Sequence, residues 1–144
     1  MNFNIIRIAT ENDLEFIYKL WCKNSKTLGI CWRGMILNDI NKENIYIINN
    51  IGFVRINEMK RKPVVKINGI CIVKEERNKG YGKLFINYII DKFDKPIILE
   101  AVKDAENNLF YNKIGEIYGE KQSKKVNLYK YVINKENHYF DNKW

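Results

Sequence analysis

One stretch of the chain combines an apolar run, a glycine-containing turn and a helical pattern, and it strongly limits the possible folds. Residues 70–73 have the composition of a buried strand, and residues 84–90 carry apolar side chains at helical spacing. Gly80 and Gly82 lie between them. The first amides of a helix lack intrahelical partners, the helix dipole adds positive charge, and glycines admit close approach. The stretch therefore predicts a strand, a tight turn and a helix that together bind phosphate or pyrophosphate.

Two common nucleotide-binding loops are excluded by residues within this turn. The dinucleotide fingerprint needs a third glycine where this chain has Phe85. The Walker loop needs a hydroxyl residue directly after Gly82-Lys83, where Leu84 stands, and an earlier glycine where Arg77 stands. The turn therefore belongs to a different kind of phosphate site.

The remaining pattern, Arg77-x-x-Gly80-x-Gly82, resembles the pyrophosphate loop of the GNAT acyltransferase superfamily. Residues 64–73 resemble the long central strand of that family. A second resemblance lies in residues 107–115, a short helix with an aromatic-Tyr pair followed by Lys and Gly. The likeness covers roughly residues 3–133.

The resemblance implies acetyl-CoA as co-substrate and no metal. In the family, two parallel strands splay apart, and the pantetheine arm pairs with the backbone of the first strand. Here those backbone groups would belong to Cys71, Ile72 and Val73, with the Ile72 amide as the oxyanion donor. The pyrophosphate would bind the turn and helix start, made of Arg77, Asn78, Lys79, Gly80, Tyr81, Gly82 and Lys83.

The resemblance also assigns a general acid and leaves the general base open. Tyr111 of the second pattern would protonate the departing thiolate; alternatively it is an ordinary core aromatic. The family commonly has Asn seven residues earlier, where this chain has Asp104, and Asn107 is the nearest amide that would reach the cofactor.

No Glu or His lies on the predicted central strand, so the base must come from elsewhere. Glu100 is the first choice, because the end of its strand borders the predicted gap. Glu58 and Asp104 come next, followed by His138, and a water chain is a further alternative.

The whole chain, 1–144, is predicted to be one α/β domain, with 134–144 as a C-terminal tail that packs on the surface or on a second copy. We expect a mixed sheet with helices on both faces. The predicted strands are 3–8, 45–48, 51–57, 64–73, 97–101 and 126–133. The predicted helices follow Thr10 through Trp21 and cover 80–92 and 105–114, the last ended by Gly115 in the C′ position. Residues 22–40 are ambiguous, and the region of roughly 21–40, with Trp21, Trp32 and Arg33, is expected to shape acceptor choice.

Composition narrows the functional class further. Apolar runs are far shorter than the ~20 residues of a membrane span, and the first residues do not form a secretory signal, so a cytoplasmic protein is expected. The three cysteines have neither disulfide nor zinc spacing and are expected to be small buried hydrophobes. The net charge of +8 favours an anionic partner, although a solvated basic surface also explains it.

These observations favour an N-acetyltransferase that moves acetyl directly from acetyl-CoA to a primary amine. The acceptor would be a small molecule or a peptide amine. One alternative is an acyltransferase acting on an amine carried by nucleic acid, which lacks an Arg-rich or aromatic-interleaved motif in its favour. The other is a GNAT-like protein that binds acyl-CoA without catalysis. A homodimer is left open.

Overall fold

Seven strands form one mixed sheet in the computed structural model, which describes residues 2–103 and 105–144. The strands are β1 (Ile6–Ile8), β2 (Ile45–Ile48), β3 (Gly52–Glu58), β4 (Val65–Ile72), β5 (Ile97–Val102), β6 (Glu116–Gln122) and β7 (Asn127–Ile133). The helices are α1 (Leu14–Lys23), α2 (Ser25–Leu28), α3 (Arg33–Asn41), α4 (Tyr81–Phe93) and α5 (Asn107–Ile114). The strand order is β1-β2-β3-β4-β5-β7-β6, and only β4 and β5 pair in parallel.

Helices cover both faces of the sheet, as predicted. Successive side chains of a strand point to opposite faces, and all four residues of β2 are buried. Ile45 and Ile47 pack with residues of α1 and α3, whereas Tyr46 and Ile48 pack with residues of α4. The first four strands therefore lie between two apolar layers.

Helix α4 is held by its apolar face. Phe85 and Ile89 are fully buried against the sheet. The helix ends at Phe93, where Asp94 adopts a left-handed conformation with φ 47°. Pro96 follows, which cannot continue a helix, and its carbonyl accepts the Val65 amide at the start of β4.

The parallel strands β4 and β5 separate soon after they meet. They pair only at Val65–Ile97 and Lys66–Ile98, whereas β5 stays paired with β7 as far as Val102. On its other edge, β4 shifts register against β3 at Asn68. Such a bulge bends a strand. The carboxyl-terminal parts of β4 and β5 therefore enclose a gap.

Three details of the predicted elements were wrong. Strand β6 was missed, because Glu116–Gln122 is a mostly polar and exposed edge strand without an alternating apolar pattern. The predicted first strand is shorter, because residues Phe3–Ile5 form a 3₁₀ turn.

The third detail is Gly115, which is extended (φ −151°) and does not adopt the left-handed C′ conformation. A glycine is needed at this position for close packing, because an added Cβ would lie 2.6 Å from the Val132 carbonyl oxygen.

The C-terminal tail packs on one face of the sheet. Phe140 and Trp144 pack beside Tyr118 on a small apolar cluster of the sheet.

Cys71 is buried, as expected, but Cys22 is exposed because it faces outward from α1. No helix in the described part of the chain is long and apolar enough to cross a membrane.

Candidate active site

The predicted phosphate loop ends in an open helix start. Asn78 and Gly80 have positive φ angles of 63° and 92°, and α4 begins directly after them. The Leu84 amide makes a helical bond to the Gly80 carbonyl at 3.0 Å. No side chain in the described residues caps the helix. The amides of Tyr81, Gly82 and Lys83 therefore remain available for an anion.

Side chains of the loop hold it in place. The Arg77 Nε donates to the Ile72 carbonyl oxygen at 3.0 Å, and its Nη2 donates to Asn24 Oδ1 at 2.9 Å. Lys79 pairs with Glu76 at 3.0 Å. The guanidinium of Arg77 thus links the loop to β4 and to the end of α1, so its side chain has a structural partner on each side.

The backbone of β4 facing the gap differs in part from the predicted set. The Val73 amide donates to the Ile51 carbonyl at 2.8 Å, on the β3 side. Because bonding direction alternates along an antiparallel pair, Cys71 also faces β3, and Ile72 and Ile70 face the gap. The sequence analysis missed Ile70, since only the pairing register shows which residues point toward the gap.

The gap forms a cleft that gathers residues from four elements. Leu28 of α2 lies near Gly69 of β4, where an added Cβ would be 3.1 Å from the Leu28 Cδ2. The residues that line the cleft are Thr27, Leu28, Ile67, Asn68, Gly69, Ile70, Leu99, Glu100, Ala101, Val102, Ala105, Asn107 and Tyr111. The structure thus brings together Glu100, Asn107 and Tyr111, three residues predicted to belong to the site.

Tyr111 lies on the sheet-facing side of α5, with its side chain 5% exposed and its ring 5.4 Å from that of Tyr131. Burial, and secondarily Tyr131, raises the pKa of Tyr111 to about 12. Its hydroxyl has no hydrogen-bond partner among the described residues. In the part of the chain that the structure describes, every fully buried side-chain N or O has a hydrogen-bond partner. With its pKa at about 12 the hydroxyl is protonated at neutral pH, and Tyr111 lines the cleft.

Asn108 organises the turn between β5 and α5, a role that the sequence analysis missed. Its Nδ2 lies 2.8–3.0 Å from three carbonyl oxygens, those of Val102, Lys103 and Ala105. Its Oδ1 accepts the Tyr131 hydroxyl at 2.7 Å. A single amide thus fixes the entry to the helix that carries Tyr111.

Glu100 lies on the other face of the sheet from Tyr111. Its neighbours Leu99 and Ala101 share the core of Tyr111, and strand alternation directs Glu100 to the opposite face. Its Oε1 is 3.3 Å from Lys66 Nζ and 3.5 Å from Lys121 Nζ. Its Oε2 accepts no hydrogen bond from the described residues.

The remaining base candidates lie elsewhere. Glu58 pairs with Lys95 at 2.7 Å, and His138 lies 3.3 Å from Asp94. Neither lines the cleft. Asp104 lies outside the described residues. The described chain contains no group of three or more His, Cys, Asp or Glu side chains placed to hold a metal ion.

The ambiguous segment 22–40 contributes less than its aromatic residues indicated. Trp21, just before it, is 1% exposed and donates from Nε1 to the Gly29 carbonyl, so it is a core residue. Arg33 pairs with Glu15 at 2.6 Å. Only α2 brings this segment to the cleft, through Thr27 and Leu28.

Comparisons with known proteins agree with this geometry. The chain resembles Ard1 from Thermoplasma volcanium (19% identity, 88% of this chain and 94% of that chain, TM-score 0.73). It also resembles the ribosomal-protein-S18-alanine N-acetyltransferase from Escherichia coli (13% identity, 94% of this chain and 98% of that chain, TM-score 0.68). A further similar structure is the PaiA N-acetyltransferase from Thermoplasma acidophilum in complex with coenzyme A (16% identity, 87% of this chain and 96% of that chain, TM-score 0.63).

At these identities the structural likeness shows the fold. None of the curated proteins matches the chain. The model of the Acetyltransferase (GNAT) family matches residues 7–115, more than half of the chain. The chain therefore belongs to the GNAT acetyltransferase family.

Proposed function

We propose that this protein is an N-acetyltransferase that moves acetyl directly from acetyl-CoA to a primary amine of a small molecule or a peptide. One observation carries the proposal: the gap between β4 and β5 has a free carboxylate oxygen of Glu100 on one face and the hydroxyl of Tyr111 on the other. A proton acceptor and a proton donor thus border the same cleft.

The chain offers suitable groups for each part of the cofactor. The open amides of Tyr81, Gly82 and Lys83 suit the pyrophosphate, because they combine free donors with the positive end of a helix dipole. The gap-facing backbone of Ile70 and Ile72 suits the amides of the pantetheine arm. Acetyl-CoA, when bound, supplies the acetyl group and the thiolate leaving group.

The residues of the chain then move two protons. Glu100 Oε2 takes the proton that the amine must lose as its nitrogen forms the new bond to carbon. The Tyr111 hydroxyl gives a proton to the sulfur as the carbon–sulfur bond breaks. The Ile72 amide stabilises the charge that develops on the carbonyl oxygen.

The structural neighbours support the acceptor class. Those described as N-acetyltransferases include one for the alanine of ribosomal protein S18 and one that modifies the N-terminal serine of ribosomal protein L7/L12. PaiA was crystallised with coenzyme A. An amine acceptor and coenzyme A binding are therefore consistent with what this fold does in other proteins.

The test measures coenzyme A binding by calorimetry and thiol release from acetyl-CoA over a panel of amines. We expect amine-dependent thiol release, and a fall in kcat of about 10²-fold or more in Glu100→Gln, because a positioned base contributes that much. Glu58→Gln, which removes a carboxylate outside the cleft, is the matched control and should keep the wild-type rate.

Binding without thiol release from any amine would identify a non-catalytic acyl-CoA-binding protein instead. Strongly salt-dependent binding of RNA or DNA, with acetyl transfer to it, would favour the acceptor carried by nucleic acid.

A further inference from the structure

Two lysines converge on the carboxylate that borders the cleft. Lys66 of β4 and Lys121 of β6 both approach Oε1 of Glu100, at 3.3 and 3.5 Å. Their side chains are 33% and 55% exposed, so both ammonium groups remain accessible to a ligand. Two cations thus stand against one anion, so the cleft wall at Glu100 has an excess of positive charge beside it.

This wall lies on the face of the sheet away from Tyr111. Thr27 and Leu28 of α2 line the same cleft together with Glu100, and α2 joins α1 to α3, which pack on that face. Under the proposed function, on which this inference rests, the amine approaches Glu100 from this face. Both lysines contact Glu100, so an acceptor whose amine reaches that carboxylate lies close to their ammonium groups.

We propose that the acceptor carries a carboxylate close to its amine, and that Lys66 and Lys121 bind this carboxylate while Glu100 receives the amine. An amine whose only charge is positive meets two like charges here, which repel its protonated form. An acceptor with its own carboxylate offsets that repulsion and gains charge-assisted hydrogen bonds.

The geometry favours a small carboxylate over a nucleic acid. The lysines already contact a carboxylate oxygen, and they meet at one point of the wall instead of forming a track along a strand. The net charge of +8 adds a long-range attraction for any anionic acceptor. Two sources supply an amine with an adjacent carboxylate: a free amino acid, or a peptide whose second residue is acidic.

The test uses matched acceptors that differ only in the carboxylate. Free alanine is compared with alaninamide, and a tetrapeptide amide beginning Ala-Asp is compared with the same peptide beginning Ala-Asn. Binding to the protein saturated with coenzyme A is measured by calorimetry, and thiol release gives kcat/KM. We expect the carboxylate member of at least one pair to bind tenfold or more tightly and to react at least tenfold faster. The pair that shows the difference identifies the source.

The variant Lys121→Glu should remove most of this difference, because it replaces one attracting charge by a repelling one. Lys60→Glu, on the exposed β3–β4 connection, makes the same change of net charge and should leave the preference intact. A thermal melt of each variant checks that the fold survives.

Equal affinity for both members of each pair would overturn this inference, whatever the turnover. An unchanged preference in Lys121→Glu, or equal losses in Lys60→Glu, would overturn the role of the lysine pair. A carboxylate preference in binding, with no thiol release from any amine, would overturn the proposed function and leave the anionic ligand site standing. Tight binding of a single-stranded oligonucleotide with no discrimination between the paired acceptors would replace the small carboxylate by a polyanion.

Discussion

The two sides of the proposed active site are built from different parts of the chain. The proposed cofactor side, made of the loop 74–80 and the start of α4, offers mainly main-chain amides whose positions follow from Asn78, Gly80 and the helix itself. The proposed acceptor side, made of α2, Glu100 and the two lysines that contact it, Lys66 and Lys121, offers side chains drawn from separate elements.

This difference teaches how each side responds to change. Main-chain donors survive most side-chain substitutions and fail when the backbone is blocked or forced into another conformation. Side-chain groups are individually replaceable, and each replacement alters the acceptors that bind. We therefore expect substitutions on the cofactor side either to abolish coenzyme A binding or to leave it nearly unchanged. Substitutions on the acceptor side should alter acceptor binding in graded steps.

The largest expected effect comes from blocking the main-chain donors. An added Cβ at Gly82 would make an ordinary contact with the Phe110 ring at 3.5 Å, but an indole must extend over the open amides or displace that ring. Gly82→Trp should weaken coenzyme A binding by more than about 100-fold, since several charge-assisted hydrogen bonds are lost. Calorimetry measures the affinity.

Gly82→Ala is the matched control, because a methyl group fits at this position. It should retain near wild-type affinity. If Gly82→Trp binds coenzyme A as tightly as the wild type does, the helix start is not the pyrophosphate site.

The next effect separates chemistry from binding where the two sides meet. Tyr111→Phe removes only the hydroxyl and keeps the buried ring that packs beside Tyr131. The substitution should lower kcat by about 10²-fold with coenzyme A affinity unchanged. Steady-state kinetics and calorimetry measure the two quantities, and equal rates would return Tyr111 to a packing role.

A smaller effect is expected on stability from Asn108, which holds the turn between β5 and α5. Asn108→Ala removes an NH2 group whose two hydrogens are shared among three carbonyl oxygens, and it removes the acceptor of the Tyr131 hydroxyl. The free energy of unfolding should fall by roughly 2–3 kcal/mol, at about 1 kcal/mol for each net hydrogen bond, less what water restores. Urea unfolding measures it. The exposed neighbour Asn107, changed to Ala, should cost less than about 0.5 kcal/mol, and equal losses would contradict the role of Asn108.

The smallest expected effect concerns the ion pair between Arg7 and Asp13, directly before α1. The Arg7 guanidinium donates to both oxygens of Asp13 at 2.7 and 2.8 Å, and this hydrogen bonding lowers the pKa of Asp13. A lowered pKa adds stability above the unfolded value of about 3.9, and this stability is lost as the pH falls through the folded pKa. The gain is below about 1 kcal/mol, because Arg7 is 41% exposed.

Urea unfolding at pH 7 and pH 3 checks this pair. Asp13→Asn should lower stability at pH 7, and its deficit relative to the wild type should be smaller at pH 3, because the stabilisation is lost as the pH falls through the lowered pKa of Asp13. A deficit of the same size at both values would show that the pair contributes through packing and not through charge.

The cofactor side could be predicted from sequence because its determinants are local. The apolar run 70–73, Gly80, Gly82 and the helical spacing after them are contiguous, and the structure places a strand, a turn and a helix there. The resemblance to the family also indicated Tyr111, and the position of Glu100 at the end of its predicted strand indicated that residue; both line the same cleft.

The acceptor side could not be predicted because its contacts join distant residues. Lys121 lies on β6, which has no apolar alternation and stays exposed at the edge of the sheet, so no local pattern indicates it. Lys66 meets Glu100 only through the parallel pairing of β4 and β5. Asn108 resembles its neighbour Asn107 in sequence, and only the turn geometry distinguishes them.

The position of β7 between β5 and β6 has a consequence for biosynthesis. Strands β1 to β5 and the loop that leads into α4 are complete in the first 102 residues, but β6 pairs with β7 alone. A nascent chain that has not yet emerged beyond residue 127 therefore lacks the pairing that positions Lys121. During translation the strand–turn–helix segment proposed to bind coenzyme A is therefore synthesised before the edge strand that carries Lys121.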